Sequence, residues 1–187
     1  TSKQMGMDAV FVHMAKNYYM TGQAYWADST TIAKISDRAK KLSYSLIGVT
    51  APNLIMKDTA DQIQILHAIN KEYTIAYFWD PECGHCKKVT PKVKAFYDKF
   101  KDELDVEIYG VMTNAEEHES WLEYIKEHNL DWINVEDPEQ KTAYKYLYDI
   151  YSTPVIYLLD KNKKMIAKRI GAEDLENFIR HHKKKSS

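Results

Sequence analysis

The chain has 187 residues, with 26 lysines and arginines against 27 aspartates and glutamates for a formal charge of −1 at pH 7. Such a length suits one ordinary domain with an extension, or two small ones, and so balanced a charge implies no nucleic-acid or acidic-membrane partner. At 44% hydrophobic and 12% aromatic the chain can build a real core and is not disordered, and no stretch approaches the ~18 apolar residues of a membrane span.

From the N-terminus, Met7, Val10, Phe11, Met14 and Tyr18 recur at helical spacing, as do Ile32, Ile35, Ala39, Leu42 and Leu46. Thr21-Gly22-Gln23 stops the first helix, and Asp28-Ser29-Thr30 supplies N-cap candidates for the second. Residues 1–46 are therefore expected to form a helical segment and 47–187 a second unit. The two apolar faces pack on the rest of the chain or meet a partner. The chain begins at Thr1 rather than methionine, which reads as a processed or trimmed start.

From Gly48 the pattern alternates between β and α. Val49 to Met56, with Ala51-Pro52-Asn53 inside it, reads as a short opening strand, and Thr74 to Trp79 is a β-prone run of Ile, Tyr, Phe and Trp. A helix follows Cys86 with Val89, Val93, Phe96, Tyr97 and Phe100 as its apolar positions; Pro91 removes one N–H there and is expected to kink it. Val106 to Met112 is the next strand. Glu116 to His128 reads as a helix burying Trp121, Leu122 and Ile125, and Trp132 to Val135 as a very short strand. Gln140 to Tyr151 reads as a helix with Ala143, Tyr144, Leu147 and Tyr151 inward. Val155 to Leu159 is continuously apolar, as a strand buried on both faces should be. A polar turn, Asp160 to Lys163, leads to an antiparallel partner over Lys164 to Ile170, which Gly171 ends. Leu175, Phe178 and Ile179 form the inner face of a last helix, and Lys183-Lys184-Lys185 a solvated tail. This order predicts an α/β fold with a mixed central sheet covered on both faces.

The two cysteines, Cys83 and Cys86, sit where the strand ending in Trp79-Asp80-Pro81-Glu82 meets a helix start. Unpaired N–H groups and the helix dipole favour a thiolate there, so Cys83 reads as the attacking thiol and Cys86 as the resolving one. The intervening Gly84-His85 tunes direction: a protonated His85 would stabilise the thiolate and make the pair more oxidising. One Cys-x-x-Cys pair without further cysteines is too few ligands for structural zinc, so no metal is expected. Nor is any cofactor beyond the redox-active disulfide itself. Glu82 reads as a solvated acid at the helix start. His67, His118, His128 and His181-His182 read as surface histidines, and Tyr144, Tyr146, Tyr148 and Tyr151 as helix-face packing. Thr153-Pro154 precedes the buried strand, where a proline forfeits a ladder bond; on the residues alone its peptide bond is expected to be trans.

Phe78-Trp79 before Cys83-Gly84-His85-Cys86, Pro91 further along the helix, and Thr153-Pro154 ahead of the final hairpin together resemble the thioredoxin fold. The helix and short strand between about Asn114 and Asp137 resemble the αβ insertion of the TlpA/ResA-like branch, grouped with the AhpC/TSA superfamily. Gly48-Val49-Thr50-Ala51-Pro52-Asn53 is similar to the opening of those proteins. The resemblance implies a three-layer sandwich and a cis-proline loop at Thr153-Pro154 that binds client backbone. It also implies thiol–disulfide exchange with protein disulfides, driven by an unidentified thiol reductant or oxidant. The N-terminal segment resembles a domain that precedes such modules in bacterial envelope proteins, which implies an extracytoplasmic site and a membrane tether on the precursor. Two family positions differ. Where a buried acid often stands on the strand before the motif the chain has Tyr77, and where ResA-like proteins place a glutamate it has Val89. Glu82 is then the remaining acid beside the pair. A thiol peroxidase of the AhpC/TSA type is the rival enzyme, though Cys83 follows Phe-Trp-Asp-Pro-Glu rather than Pro-x-x-x-Thr-x-x. A non-catalytic module holding a partner through the N-terminal helices is the rival from another class.

Overall fold

The computed structural model describes residues 6–186; the processed-start reading of Thr1 and the outermost ends of the two expected units, 1–5 and 187, lie outside the described residues. Two helices come first: α1 (Met7–Met14), continued by a π-helical turn over Ala15–Tyr19, and α2 (Ser29–Ser43). A hairpin of β1 (Ile55–Asp58) and β2 (Ile63–Ile65) leads to β3 (Tyr73–Trp79), α3 (Gly84–Phe100) and β4 (Val106–Met112). Then come α4 (His118–Glu127), β5 (Ile133–Glu136), the single turn α5 (Tyr144–Leu147), β6 (Val155–Asp160), β7 (Met165–Lys168) and α6 (Leu175–Ser186).

The strands form one mixed sheet in the order β2-β1-β5-β4-β3-β6-β7. β3, β4 and β5 run parallel because α3 and α4 carry the chain back between them, while β6, β7 and β1 run antiparallel to their neighbours. β3 lies inside the sheet between β4 and β6, and every one of its residues is buried. Its side chains alternate between two cores. Tyr73, Ile75, Tyr77 and Trp79 join Val93, Phe96 and Phe100 of α3 and Leu175 and Ile179 of α6. Ala76 and Phe78 join Tyr109, Val111, Tyr144 and Tyr148 on the opposite face. Each such aliphatic or phenyl group contributes about 1.5–3 kcal/mol by leaving water. The mixed sheet covered on both faces, and the α4–β5 insertion, are as expected from the sequence.

Gly110 on β4 marks the tightest packing. A Cβ there would meet Trp132 Nε1 at 2.7 Å and Cδ1 at 3.2 Å, and Trp132 is itself buried. Gly110→Ala is expected to lower stability by about 1–3 kcal/mol through overpacking, read as a fall in the urea midpoint with an unchanged slope.

Several elements differ from their sequence reading. The opening strand begins only at Ile55, because Gly48–Ala51 is drawn onto β7 instead. Gly48 N–H donates to the Met165 carbonyl at 2.8 Å and Ala51 N–H to the Lys163 carbonyl at 2.8 Å. Its hairpin partner β2 had no signal of its own; Asp58 builds the turn by accepting the N–H groups of Ala60 and Gln62. The helix expected over Gln140–Tyr151 shrinks to α5, since Gln140, Ala143 and Asp149 adopt left-handed φ of 51°, 47° and 53°. Tyr144 and Tyr148 do pack inward, but Ala143 and Tyr151 are exposed. α3 runs unbroken through Pro91.

The first helix turns the other way. Met7, Val10, Phe11, Met14 and Tyr18 face outward, and the small residues Val12 and Ala15 approach Ala39 and Leu42 of α2. Two alanines allow close helix contact that the larger side chains would prevent, and the π turn shifts the register just beyond. The pair is fastened to the sheet unit by polar ties. Arg38 of α2 grips the Asp149 carboxylate through both terminal nitrogens, and Lys168 Nζ of β7 donates to Asp8 at 2.6 Å. Tyr44 lies 6.0 Å from Tyr146, ring centre to ring centre.

Candidate active site

β3 delivers the chain to a tight turn. Asp80 carries three of its contacts: its carbonyl accepts Cys83 N–H at 3.2 Å, its carboxylate accepts Glu82 N–H at 2.8 Å, and its own N–H donates to Cys86 Sγ at 3.4 Å. Pro81, buried, completes the turn. Cys83 is the N-cap of α3, with φ −71° and ψ 118°, and its carbonyl accepts Lys87 N–H at 3.0 Å. Its side chain does not cap the helix, so the sulfur stays beside the first-turn N–H groups without being consumed by them.

The facing loop carries the Thr153–Pro154 peptide bond in the cis form. It presents the Thr153 carbonyl to the site, and the Cys83 thiol donates to it at 3.5 Å. Thr153 and Pro154 are both half-buried. Cys83, Cys86, Thr153 and Pro154, far apart in the chain, are thus brought together. Trp79 lies fully buried behind Cys86, and Gly84 is exposed at the helix mouth. A cleft of about 250 Å³ beside Pro154, with Val89, Lys92 and Arg169 in its walls, borders the same loop.

Both thiols are free, and their surroundings are unequal. Burial works against ionisation of the half-exposed Cys83. It is outweighed by Thr153, the Cys86 N–H and thiol, and the His85 N–H, which together hold Cys83 below the ordinary thiol range. Cys86 is 1% exposed, and burial pushes it up to about 12. A lowered pKa means thiolate at lower pH, and the thiolate is the reactive form. Iodoacetamide applied to the reduced protein is therefore expected to label Cys83 with a midpoint below that of a free cysteine. Cys86 stays unlabelled through pH 9, as peptide mass spectrometry at each pH would read.

Of the neighbouring groups, Glu82 is solvated as the sequence reads it, and others differ. The His85 ring is exposed, and it is the backbone N–H of that residue which acts on Cys83. Glu82 points to solvent and pairs with Lys87 Nζ at 3.0 Å, away from the resolving thiol. The position of the family's buried acid is occupied by Tyr77, whose hydroxyl shares a hydrogen bond of 2.8 Å with Thr90 Oγ1. Thr90 stands one helical turn past Cys86 and so shares its buried face. His67 and His118 are exposed as expected, with His67 Nε2 2.8 Å from the Ala51 carbonyl and His118 2.8 Å from Glu136, whereas His128 is half-buried and stacks on Tyr124. Among the described residues no group of three or more His, Cys, Asp or Glu could hold a metal, and no helix is long and apolar enough to cross a membrane.

A family model described as thioredoxin-like matches residues 70–165. A domain of a "possible thiol-disulfide isomerase" from Cytophaga hutchinsonii is 41% identical, covering 75% of this chain and 95% of that one with a TM-score of 0.70. The thioredoxin domain of a thiol-disulfide oxidoreductase from Bacteroides vulgatus is 30% identical, covering 73% and 96%, with a TM-score of 0.66. Thiol-disulfide oxidoreductase ResA of Bacillus cereus is 28% identical over 137 residues, 71% of this chain and 76% of that protein. A thioredoxin-like protein from Bacteroides caccae, 19% identical, shares the fold over 94% of this chain and 62% of its own, with a TM-score of 0.81.

Proposed function

This chain belongs to the thioredoxin-like family, in its TlpA/ResA-like branch, and from that premise we propose that it is a thiol–disulfide oxidoreductase exchanging electrons with protein disulfides through Cys83 and Cys86. The observation that carries this reading is the inequality of the pair. One sulfur is accessible and held toward thiolate at a helix mouth, and its neighbour one turn on is buried and protonated.

The Cys83 thiolate attacks one sulfur of a client disulfide, forming a mixed disulfide and releasing the other client sulfur as thiolate, which takes up a proton. Cys86 then loses its proton and attacks Cys83 Sγ. The Cys83–client bond breaks, the Cys83–Cys86 bond forms, and the second client sulfur leaves. Two electrons have passed from the enzyme's dithiol to the client, and the sequence runs backwards when the client is the richer donor. The Thr153 carbonyl, free to accept a client main-chain N–H once the Cys83 thiol has reacted, aligns an extended segment beside Pro154. A dithiol or disulfide partner resets the pair. The kinship with ResA supports work outside the cytoplasm.

The test is turnover on a protein disulfide. Reduced wild type is expected to cleave the interchain disulfides of insulin with a potential roughly between the −270 and −180 mV landmarks of thioredoxin and protein disulfide isomerase. Cys83→Ser should be inert. Equal turnover by the serine variant would overturn the reading; a potential outside that interval would reject the tuning assigned to the Gly84-His85 pair.

A further inference from the structure

Resting on the exchange reading, we propose that the cleft beside Pro154 is a client subsite with a charge preference: it takes the carboxylate of an aspartate or glutamate close to the reacting cystine, held between Lys92 of α3 and Arg169 just past β7. The substrate class is then a protein disulfide flanked by acidic residues.

The cleft continues the loop that faces the reacting sulfur. Cys83 Sγ lies 3.5 Å from the Thr153 carbonyl, and the next residue, Pro154, forms the cleft wall with Val89, Lys92, Arg169 and Glu173. Successive side chains of an extended segment leave it on opposite faces. A client strand lying along Thr153 therefore turns every second side chain toward this wall, and a space of about 250 Å³ accommodates a carboxylate side chain.

Two cations and one acid line the cleft. Lys92 is exposed and makes neither an ion pair nor a hydrogen bond among the described residues. Arg169 is partly exposed, and its bonds run through Nη2, to the Asp149 carbonyl at 2.7 Å and the Asp149 carboxylate at 3.4 Å. Arg38 already grips that carboxylate through both terminal nitrogens, so one negative charge serves two guanidinium groups and a positive surplus is left. The exposed Tyr151 ring lies 4.8 Å from the Arg169 guanidinium carbon and steadies it, while Nε and Nη1 remain as a fork for a client carboxylate. Glu173, exposed, offsets only one of the two cations. On the α4 side of the motif the sign reverses: that groove is lined by Glu82, Glu123 and Glu127 against Lys87 and His128. A client crossing Cys83 thus meets base on the Pro154 side and acid on the other, and this polarity selects and orients it.

The test compares peptide disulfides that differ only in the residues flanking each cysteine: glutamate, glutamine or lysine. Reduced protein is mixed with each, the reaction is quenched with acid, and the thiol peptide is read by reversed-phase chromatography. Each rate is divided by that peptide's rate with dithiothreitol, which sets aside its own reactivity. Wild type is expected to favour the glutamate over the lysine peptide about tenfold at low ionic strength, and less at high salt. Lys92→Glu should bring that ratio to about one, and Arg169→Gln should lower it about threefold, with melting temperatures followed in both. Lys34→Glu on α2 makes the same change in net charge away from the cleft and should keep the wild-type ratio. Equal normalised rates in wild type, a ratio unmoved in both cleft variants, or one that falls as far in Lys34→Glu overturns the inference. A wild type that reduces none of the three peptides overturns the exchange reading, and this inference with it.

Discussion

Cys86→Ser is expected to convert a passing intermediate into a stable adduct: mixed with an oxidised client, the variant accumulates a covalent complex through Cys83. Serine is nearly isosteric with cysteine, so the packing behind the site survives. The Cys83 sulfur keeps its helix-mouth N–H groups and its Thr153 contact. The first attack therefore proceeds, and the second has no nucleophile. Multiple turnover should fall by a factor on the order of 10³ or more, as when one member of a cooperating catalytic set is lost. Non-reducing electrophoresis and mass spectrometry would show a reductant-sensitive species whose mass excess names the client. Adding Cys83→Ser to the same chain should abolish the complex. A complex that survives the double change would place the reactive sulfur outside this protein.

The largest expected loss of stability comes from Asp149→Asn. The Asp149 side chain is 4% exposed and receives both terminal nitrogens of Arg38, while Arg169 donates to its carbonyl at 2.7 Å. Asparagine preserves the shape and tolerates the left-handed backbone at φ 53°. The substitution thus removes little but the charge that holds two guanidinium groups. Breaking a buried ion pair from one side costs about 3–5 kcal/mol; both arginines are partly exposed and recover some hydration, which brings the expectation to about 2–3 kcal/mol. Because Arg38 belongs to α2, amide hydrogen exchange in α2 should quicken with it. A shift under about 1 kcal/mol with unchanged α2 protection would show that the helical pair is held by its apolar contacts instead.

The chemistry was more legible in the sequence than some of its surroundings. Strand Tyr73–Trp79 announced itself through β-prone residues, and the cysteines through their spacing, because both signals are local. The turn at Thr153–Pro154 was not legible from the residues alone; trans is the default for any X-Pro bond, and only the family resemblance implied cis. The stretch 140–151 misled because Ala143, Tyr144, Leu147 and Tyr151 fall at helical spacing, while the left-handed backbone at Ala143 and Asp149 has no local sequence signal, and Asp149 is held by the tertiary Arg38 grip. The face of α1 misled for a related reason. Amphipathic spacing assumes that the larger apolar side chains go inward, and here close approach to Ala39 selected Val12 and Ala15.

One last consequence follows from the way Asp80 holds the turn, touching Cys86 through its N–H, Cys83 through its carbonyl and Glu82 through its carboxylate. The loop that a sulfur–sulfur bond would close is already stapled by its neighbour while both thiols are free. Closing a Cys83–Cys86 bond, which removes two hydrogens, is therefore expected to leave the Asp80 turn in place, and amide exchange across residues 80–86 should be alike in the two redox states.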